Sequence, residues 1–170
     1  QANFAYEFSE LKQTGSAANT RSFRRPKGSA SLAWNNGKGL DITLTGERRV
    51  GQLSFGDFLA RVNVDDENGN AGNNELVPSQ TWEVQLDINK TLGAWGSTSL
   101  IFEQRWIEDF LALIPLDDLS GEARGNIDNA RRTEIEWTTT LKLEPLGWNG
   151  AQLDVRLEYE EGEVRDPLTG

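Results

Sequence analysis

The sequence predicts an all-β chain, an antiparallel up-and-down meander of about seven strands. Three observations lead to this prediction. Apolar and polar residues alternate in one run after another, and a period of two is that of a strand. Patterns with the period of a helix are scarce. The connections between the runs are long and short in turn along the chain.

The predicted strands follow from their side chains in chain order. Three runs, residues 40–45, 82–89 and 153–160, alternate without a break. Each of them forms a ribbon with one apolar side and one polar side. The other four runs are marked by Phe4, Tyr6 and Phe8; by Ala30, Leu32 and Trp34; by Leu100 and Phe102; and by Ile135, Trp137, Thr139, Leu141 and Leu143.

The connections favour one kind of β protein. We expect long connections at residues 15–25, 51–80 and 107–130, and short turns at 35–39, 93–96 and 145–151. Loops of about 20 residues or more are uncommon in compact soluble domains. In a meander the long ones all lie at one end. This asymmetry is typical of large membrane barrels, whose apolar face meets lipid and whose polar face meets a wet lumen.

The tryptophans favour the same interpretation. An indole prefers the headgroup level of a membrane, where its ring is sheltered and its N–H is hydrated. Trp137 lies in mid-strand and does not follow this rule. The other five lie at strand ends or in short turns: Trp34, Trp82, Trp95, Trp106 and Trp148.

Composition excludes several chemistries. The 170 residues carry a formal net charge of −10 and contain no Cys, His or Met. A disulfide framework, a thiolate zinc site, a cysteine nucleophile and a Ser-His couple are therefore excluded. A strongly acidic chain is also a poor general binder of nucleic acid. No run of 18 apolar residues exists, which excludes a transmembrane helix.

Carboxylate clusters are the only candidates for metal or acid–base chemistry. Residues 65–70 faintly resemble a calcium loop, but Val64 stands where that loop needs a ligand. The pairs at residues 117–118 and 160–161 come with no pocket that would hold a sugar between them. We therefore expect no catalytic residue, no metal and no cofactor.

Arginines cluster near the strand exits and loops. They could attract an anionic ferric chelate or lipopolysaccharide phosphate. The alternative, which we favour, is that they pair with carboxylates across strands. In the longest connection Phe55, Phe58 and Arg61 are candidate ligand contacts, although the two phenylalanines could equally fold the loop onto the rim. The clustered arginines are Arg48, Arg49, Arg61, Arg105, Arg124, Arg131 and Arg132.

Six motifs follow one another along essentially the whole chain. They are GQLSFGDF (51–58), AGNNELVPSQTW (71–82), WIEDF (106–110) with Ile114-Pro115, GNIDNARR (125–132), EPLG (144–147) and RDPLTG (165–170). In this order they resemble the second half of the proteobacterial TonB-dependent outer-membrane receptors. One departure is Asn74, where the family usually has Pro, and it should leave that loop less rigid.

The resemblance implies a 22-stranded barrel, plugged by an N-terminal globular domain, that imports a scarce nutrient with energy passed on by TonB. Residues 1–170 would be a partial barrel from its C-terminal half, with the plug, the TonB-contacting segment and the remaining strands absent. It also implies a transporter and not an enzyme, in the outer membrane of a Gram-negative bacterium. The implied partners are outer-membrane lipid and lipopolysaccharide, the TonB system through the absent plug, and a small-molecule nutrient such as a ferric siderophore, with no nucleic acid.

Two alternatives remain open. A complete small outer-membrane barrel with a structural or accessory role would need an even number of strands, one more than the seven. A soluble β-sandwich that binds carbohydrate would bury Leu153, Val155 and Leu157 against a second sheet.

Overall fold

A computed structural model describes residues 1–13, 19–54, 61–63, 68–71, 73, 75–115 and 121–165. Within them one open sheet contains seven long antiparallel strands, as the alternation predicted. These are β1 (Ala2–Gln13), β2 (Asn19–Asn35), β3 (Leu40–Val50), β6 (Gln80–Thr91), β7 (Gly96–Pro115), β8 (Gly121–Lys142) and β9 (Gln152–Val164). Two short strands, β4 (Arg61–Asn63) and β5 (Asn68–Ala71), lie between β3 and β6, and 3-10 turns occupy Gly93–Trp95 and Glu144–Leu146.

The long strands pair in chain order, β1-β2-β3-β6-β7-β8-β9. Register places the apolar stripes side by side, so that Ile42 lies opposite Ile88 and Ile88 lies opposite Leu100. A slip of one residue would move a whole stripe to the other face. The sheet therefore has one apolar face and one charged face.

The strands are longer than the alternation predicts. The expected long connections at residues 15–25 and 107–130 are wrong, because β2 begins at Asn19, β7 continues to Pro115 and β8 begins at Gly121. Residues 110–114 are all apolar, so this part of β7 has no period of two to reveal it. With 20 and 22 residues, β7 and β8 are twice the length of about 9–11 residues that a membrane strand needs.

The third long connection, residues 51–80, remains long but contains β4 and β5. These two strands form an antiparallel pair, and β5 also pairs in parallel with the start of β8, with Gly69 opposite Gly121. The connection therefore reaches the far edge of β8 before it returns to β6. Runs of three and four residues are too short to show a period in the sequence.

The exposure of the two faces is the reverse of that in a soluble protein. Phe4 and Leu32 on the apolar face are 77% and 71% exposed, whereas Glu83 on the charged face is only 6% exposed. We call the charged face the inner face and the apolar face the outer face.

The β-sandwich alternative is wrong. Leu153 and Leu157 are half exposed on the outer face, and the described strands form one sheet with no second sheet against it. The eighth strand of a small closed barrel is also missing from the described part, where β1 pairs with β2 and β9 with β8 and the sheet stays open. Among the described residues no helix is long and apolar enough to cross a membrane.

Candidate functional site

A ladder of ion pairs crosses the inner face from β3 to β7. At its centre the Glu83 carboxylate lies 2.6 Å from Arg49 Nη2 and 2.8 Å from Arg105 Nε. Arg49 also contacts Glu47 at 3.1 Å, and Arg105 contacts Glu103 at 2.6 Å. The Glu83 carboxylate is almost fully shielded from water, and a buried charge requires opposite charge beside it. The two guanidinium groups supply that charge.

The same arrangement continues onto β8 and β9. Arg132 lies 3.0 Å from Glu160, and Arg156 lies 3.2 Å from Glu136. The expectation that arginines pair with carboxylates across strands is confirmed on the inner face for Arg49, Arg105 and Arg132, and on the outer face for Arg131. It is wrong for Arg48, which donates to the carbonyl of Pro26 and to Gln80 Oε1. The inner face is therefore a charged but internally paired surface, suited to a water-filled passage.

A short segment lies against the inner face beyond the ladder. Residues 75–79, which we name the strap, contain Leu76, whose exposure is 0%. The N–H of Val77 donates to Asn126 Oδ1 at 2.9 Å, and Asn126 Nδ2 donates back to the carbonyl of Val77 at 2.9 Å. Arg21 Nη1 donates to the carbonyl of Leu76 at 3.2 Å. Side chains of β2 and β8 thus hold the strap by its backbone.

The strap leads into the end of the β3–β6 ladder. Val50 and Gln80 are the last pair of that ladder, and one residue further along the N–H of Gly51 still donates to the carbonyl of Ser79 at 2.7 Å. In that row Arg25 of β2 and Asp109 of β7 face each other, with Arg25 Nη1 3.4 Å from Asp109 Oδ2. Three strand spacings are about 14 Å, a distance that an arginine and an aspartate can span together. The ion pair therefore joins β2 to β7 over the end of the β3–β6 pairing.

Asp109 has an unusual backbone. Its φ is 55°, and among the described residues it is the only non-glycine with a positive φ. Its carbonyl accepts a hydrogen bond from Asn126 Nδ2 at 2.7 Å. A left-handed residue at this place is a local strain that the surrounding contacts must maintain. Asn126 is therefore shared between the strap and the strained residue of β7.

A cavity of about 490 Å³ opens beside the strap, within the usual size range of small-molecule sites. Lys27 Nζ lies 2.7 Å from Glu7 Oε2 and forms its polar side. The cavity can thus present an ion pair and an apolar wall to one ligand. Its lining includes Glu7, Ser9, Phe23, Lys27, Leu53 and Pro78.

None of the candidate ligand contacts named from the sequence has a side chain that the structure describes. Phe55 and Phe58 lie outside the described residues, and Arg61 is described only by its backbone, at the start of β4. Residues 65–67 of the calcium-like loop and residues 117–118 also lie outside the described part. Among the residues that are described, no group of three or more acidic, His or Cys side chains could hold a metal.

The residues that do organise the site were not predicted as such. Asn126 and Asp109 belong to the motifs GNIDNARR and WIEDF, and the strap belongs to AGNNELVPSQTW. Their only signal in the sequence was membership in those motifs. Nothing in the sequence indicated that the three segments meet.

The aromatic side chains of the outer face follow a diagonal. Tyr159 of β9 is in register with Phe102 of β7. Trp106 lies four residues further along β7, opposite Trp82 of β6. Phe8 of β1 lies another four residues beyond the row that contains Trp82 and Trp106. Eight residues over six strand spacings correspond to a tilt of about 43°, within the range of roughly 35–45° for membrane barrels. Strands tilted in this way would bring these rings to one level.

Trp106, expected at a strand end, lies instead in the middle of β7, because that strand continues to Pro115. Trp137 lies within β8, and its indole N–H has a local partner. Trp137 Nε1 donates to Thr98 Oγ1 at 2.8 Å. Thr98 Oγ1 in turn lies 2.6 Å from Thr139 Oγ1 on the neighbouring strand. Because a polar group that faces lipid needs an internal partner, these hydroxyls allow the indole to lie away from the headgroup level.

No protein-family model matches the chain, and no curated protein matches it in sequence. One solved structure similar to it is that of the copper transporter OprC, with a TM-score of 0.66 and 14% sequence identity. The likeness covers 92% of this chain and 24% of that protein, so the chain spans about a quarter of its length. At this identity the likeness concerns the fold alone. The sheet is similar to part of an outer-membrane transporter barrel.

Proposed function

We propose that this chain is a wall segment of an outer-membrane TonB-dependent receptor, a transporter that imports a scarce nutrient. The observation on which the proposal depends is the inverted polarity of the sheet. The apolar outer face is exposed, as Leu32 and Phe4 show, and the charged inner face is sheltered, as Glu83 shows. In a barrel the first face would meet lipid and the second a water-filled passage.

The surroundings proposed for the outer face are outer-membrane lipid and lipopolysaccharide. Arg48 lies over the ring of Trp82 at 5.2 Å, and Arg24 lies over the ring of Phe8 at 5.5 Å. Arginines placed beside the aromatic level suit the phosphate groups of lipid headgroups. The plug and the contact with TonB would belong to parts of the receptor outside these residues.

The cargo that we propose is a metal already enclosed in an organic chelator, such as a ferric siderophore. The chain has no His, Cys or Met, the residues that copper sites favour. Within its described residues the inner face offers guanidinium, carboxylate, amide and hydroxyl groups but no metal-holding cluster. Such groups suit the polar surface of a chelate better than a bare copper ion. A complete small barrel with an accessory role ranks second, because the described sheet is open.

The proposal is tested in the source bacterium. The gene would be deleted and restored, and uptake of iron-55 mixed with the bacterium's own iron-starved culture supernatant would be measured. We expect uptake to fall on deletion, to return on restoration, and to be absent from a strain that lacks TonB. Unchanged uptake after deletion would contradict import of a ferric chelate, and absence of the protein from the outer-membrane fraction would contradict the location.

A further inference from the structure

We infer that Asn126 and Asp109 are positioning residues that latch the strap, residues 75–79, onto the inner face and so set the width of the passage there. The latch is a property of the fold. Its effect on cargo rests on the proposed function. The strap has no charge of its own beyond Glu75, so its position depends on what holds its backbone.

The Asn126 side chain makes three hydrogen bonds at this point. It accepts from the N–H of Val77 and donates to the carbonyls of Val77 and Asp109, at 2.9, 2.9 and 2.7 Å. An amide can pair with a backbone N–H and C=O at once, in the way that two strands do. A segment outside the long-strand ladder is thereby tied to the wall of the sheet.

The strain at Asp109 serves the same contact. Its left-handed φ of 55° accompanies a carbonyl that accepts from Asn126. Its carboxylate reaches Arg25 over the end of the β3–β6 pairing, one row beyond Val50 and Gln80. Strained residues persist where neighbouring contacts hold them, and they concentrate at functional places. One residue thus links β2, β7 and, through Asn126, the strap.

Burial shows that the strap is seated and not merely nearby. Leu76 is completely enclosed, and Pro78 is buried. The N–H of Gly51 donates to the carbonyl of Ser79 at 2.7 Å, which ties the far end of the strap to the exit of β3. Pro78 also lines the cavity beside Lys27, so a displaced strap would change the space available to a ligand.

Hydrogen exchange of the full-length receptor in lipid nanodiscs tests the latch directly. We expect Asn126→Ala to speed exchange of the amides of Leu76, Val77 and Ser79 about tenfold, the effect of losing one buried hydrogen bond. Asn126→Asp keeps the acceptor for Val77 but turns a carboxylate oxygen towards the carbonyls of Val77 and Asp109, so exchange should be at least as fast as in Asn126→Ala. Asn129→Ala, on the same strand and exposed, is the matched control and should change nothing.

The outcomes separate the latch from the proposed function. Unchanged exchange in Asn126→Ala and Asn126→Asp, with the ladder of residues 82–89 still protected, would overturn the latch. Iron-55 uptake with the same variants tests its effect on cargo, where we expect the half-saturating concentration to rise several-fold in both. Faster exchange with unaltered half-saturation would overturn the role in passage. Failure of uptake in the wild type would instead count against the proposed function.

Discussion

The half of the sheet with the short turns and the opposite end follow different rules. In the first, side chains such as those of Leu86 and Glu83 alternate between the outer and inner faces, and each strand pairs with its neighbour in simple register. At the opposite end the strands lose their period, and the strap is held by Asn126 through its side chain. Patterning suffices where each face of a strand meets uniform surroundings, whereas a segment outside the ladder is positioned by individual contacts.

The largest expected effect is a charge on the outer face of the regular half. Leu86 lies between Leu44 and Phe102, and in the proposed barrel Leu86→Arg should lower stability in lipid vesicles by about 2–4 kcal/mol. Gln85→Arg, one residue away on the inner face, should cost less than about 1 kcal/mol because water and carboxylates surround it. Urea unfolding followed by tryptophan fluorescence measures both, and equal losses would contradict the assignment of the faces.

The next effect concerns the ion-pair ladder. Glu83→Ala removes the shared partner of Arg49 and Arg105, and we expect a loss of about 2 kcal/mol, since charges at this site would lose compensation. Glu47→Ala is the matched control, because Glu47 is 36% exposed and contacts Arg49 alone among the ion pairs described. The same urea titration compares them. A Glu83→Ala variant as stable as Glu47→Ala would show that the ladder adds no stability.

A smaller effect is expected at Asp109, at the end of the sheet where the strap is bound. Asp109→Ala keeps the strained φ of 55° and loses the contact with Arg25, whereas Asp109→Gly loses the contact but relieves the strain. We expect the glycine variant to be more stable than the alanine variant by about 1 kcal/mol. Exchange rates of the amides of residues 106–113 report the difference locally. The opposite order would mean that Asp109 is not held in a left-handed conformation.

The smallest effect is expected at Thr98, the hydrogen-bond acceptor of the Trp137 indole. Thr98→Val leaves the Trp137 N–H without its acceptor on the outer face, which should cost about 1 kcal/mol or less. Thr98→Ser keeps the hydroxyl and should be close to wild type. The difference in unfolding midpoint between the two variants is the measurement, and no difference would leave the position of Trp137 unexplained.

The fold could be predicted further than the site could. Alternation in residues 40–45, 82–89 and 153–160 was enough to place three strands and the faces of their side chains, because strand geometry alone dictates the period. The extensions of β7 and β8 and the strands β4 and β5 were not predicted, since a strand needs no alternation where its faces meet mixed surroundings. Asn126, Asp109 and Leu76 lie far apart in sequence, and no local pattern connects them.

By itself the sequence determined that this is a meander of about seven strands with one apolar and one charged face, and that it lacks the sulfur and imidazole ligands of soft metals. Local backbone geometry and side-chain chemistry are sufficient for both conclusions. The tertiary structure was needed to show that the charged face is the sheltered one, that Arg25 meets Asp109 three strands away, and that Asn126 holds the strap. Burial of a face and pairing of distant residues arise from contacts between distant segments, which periodicity along one strand does not encode.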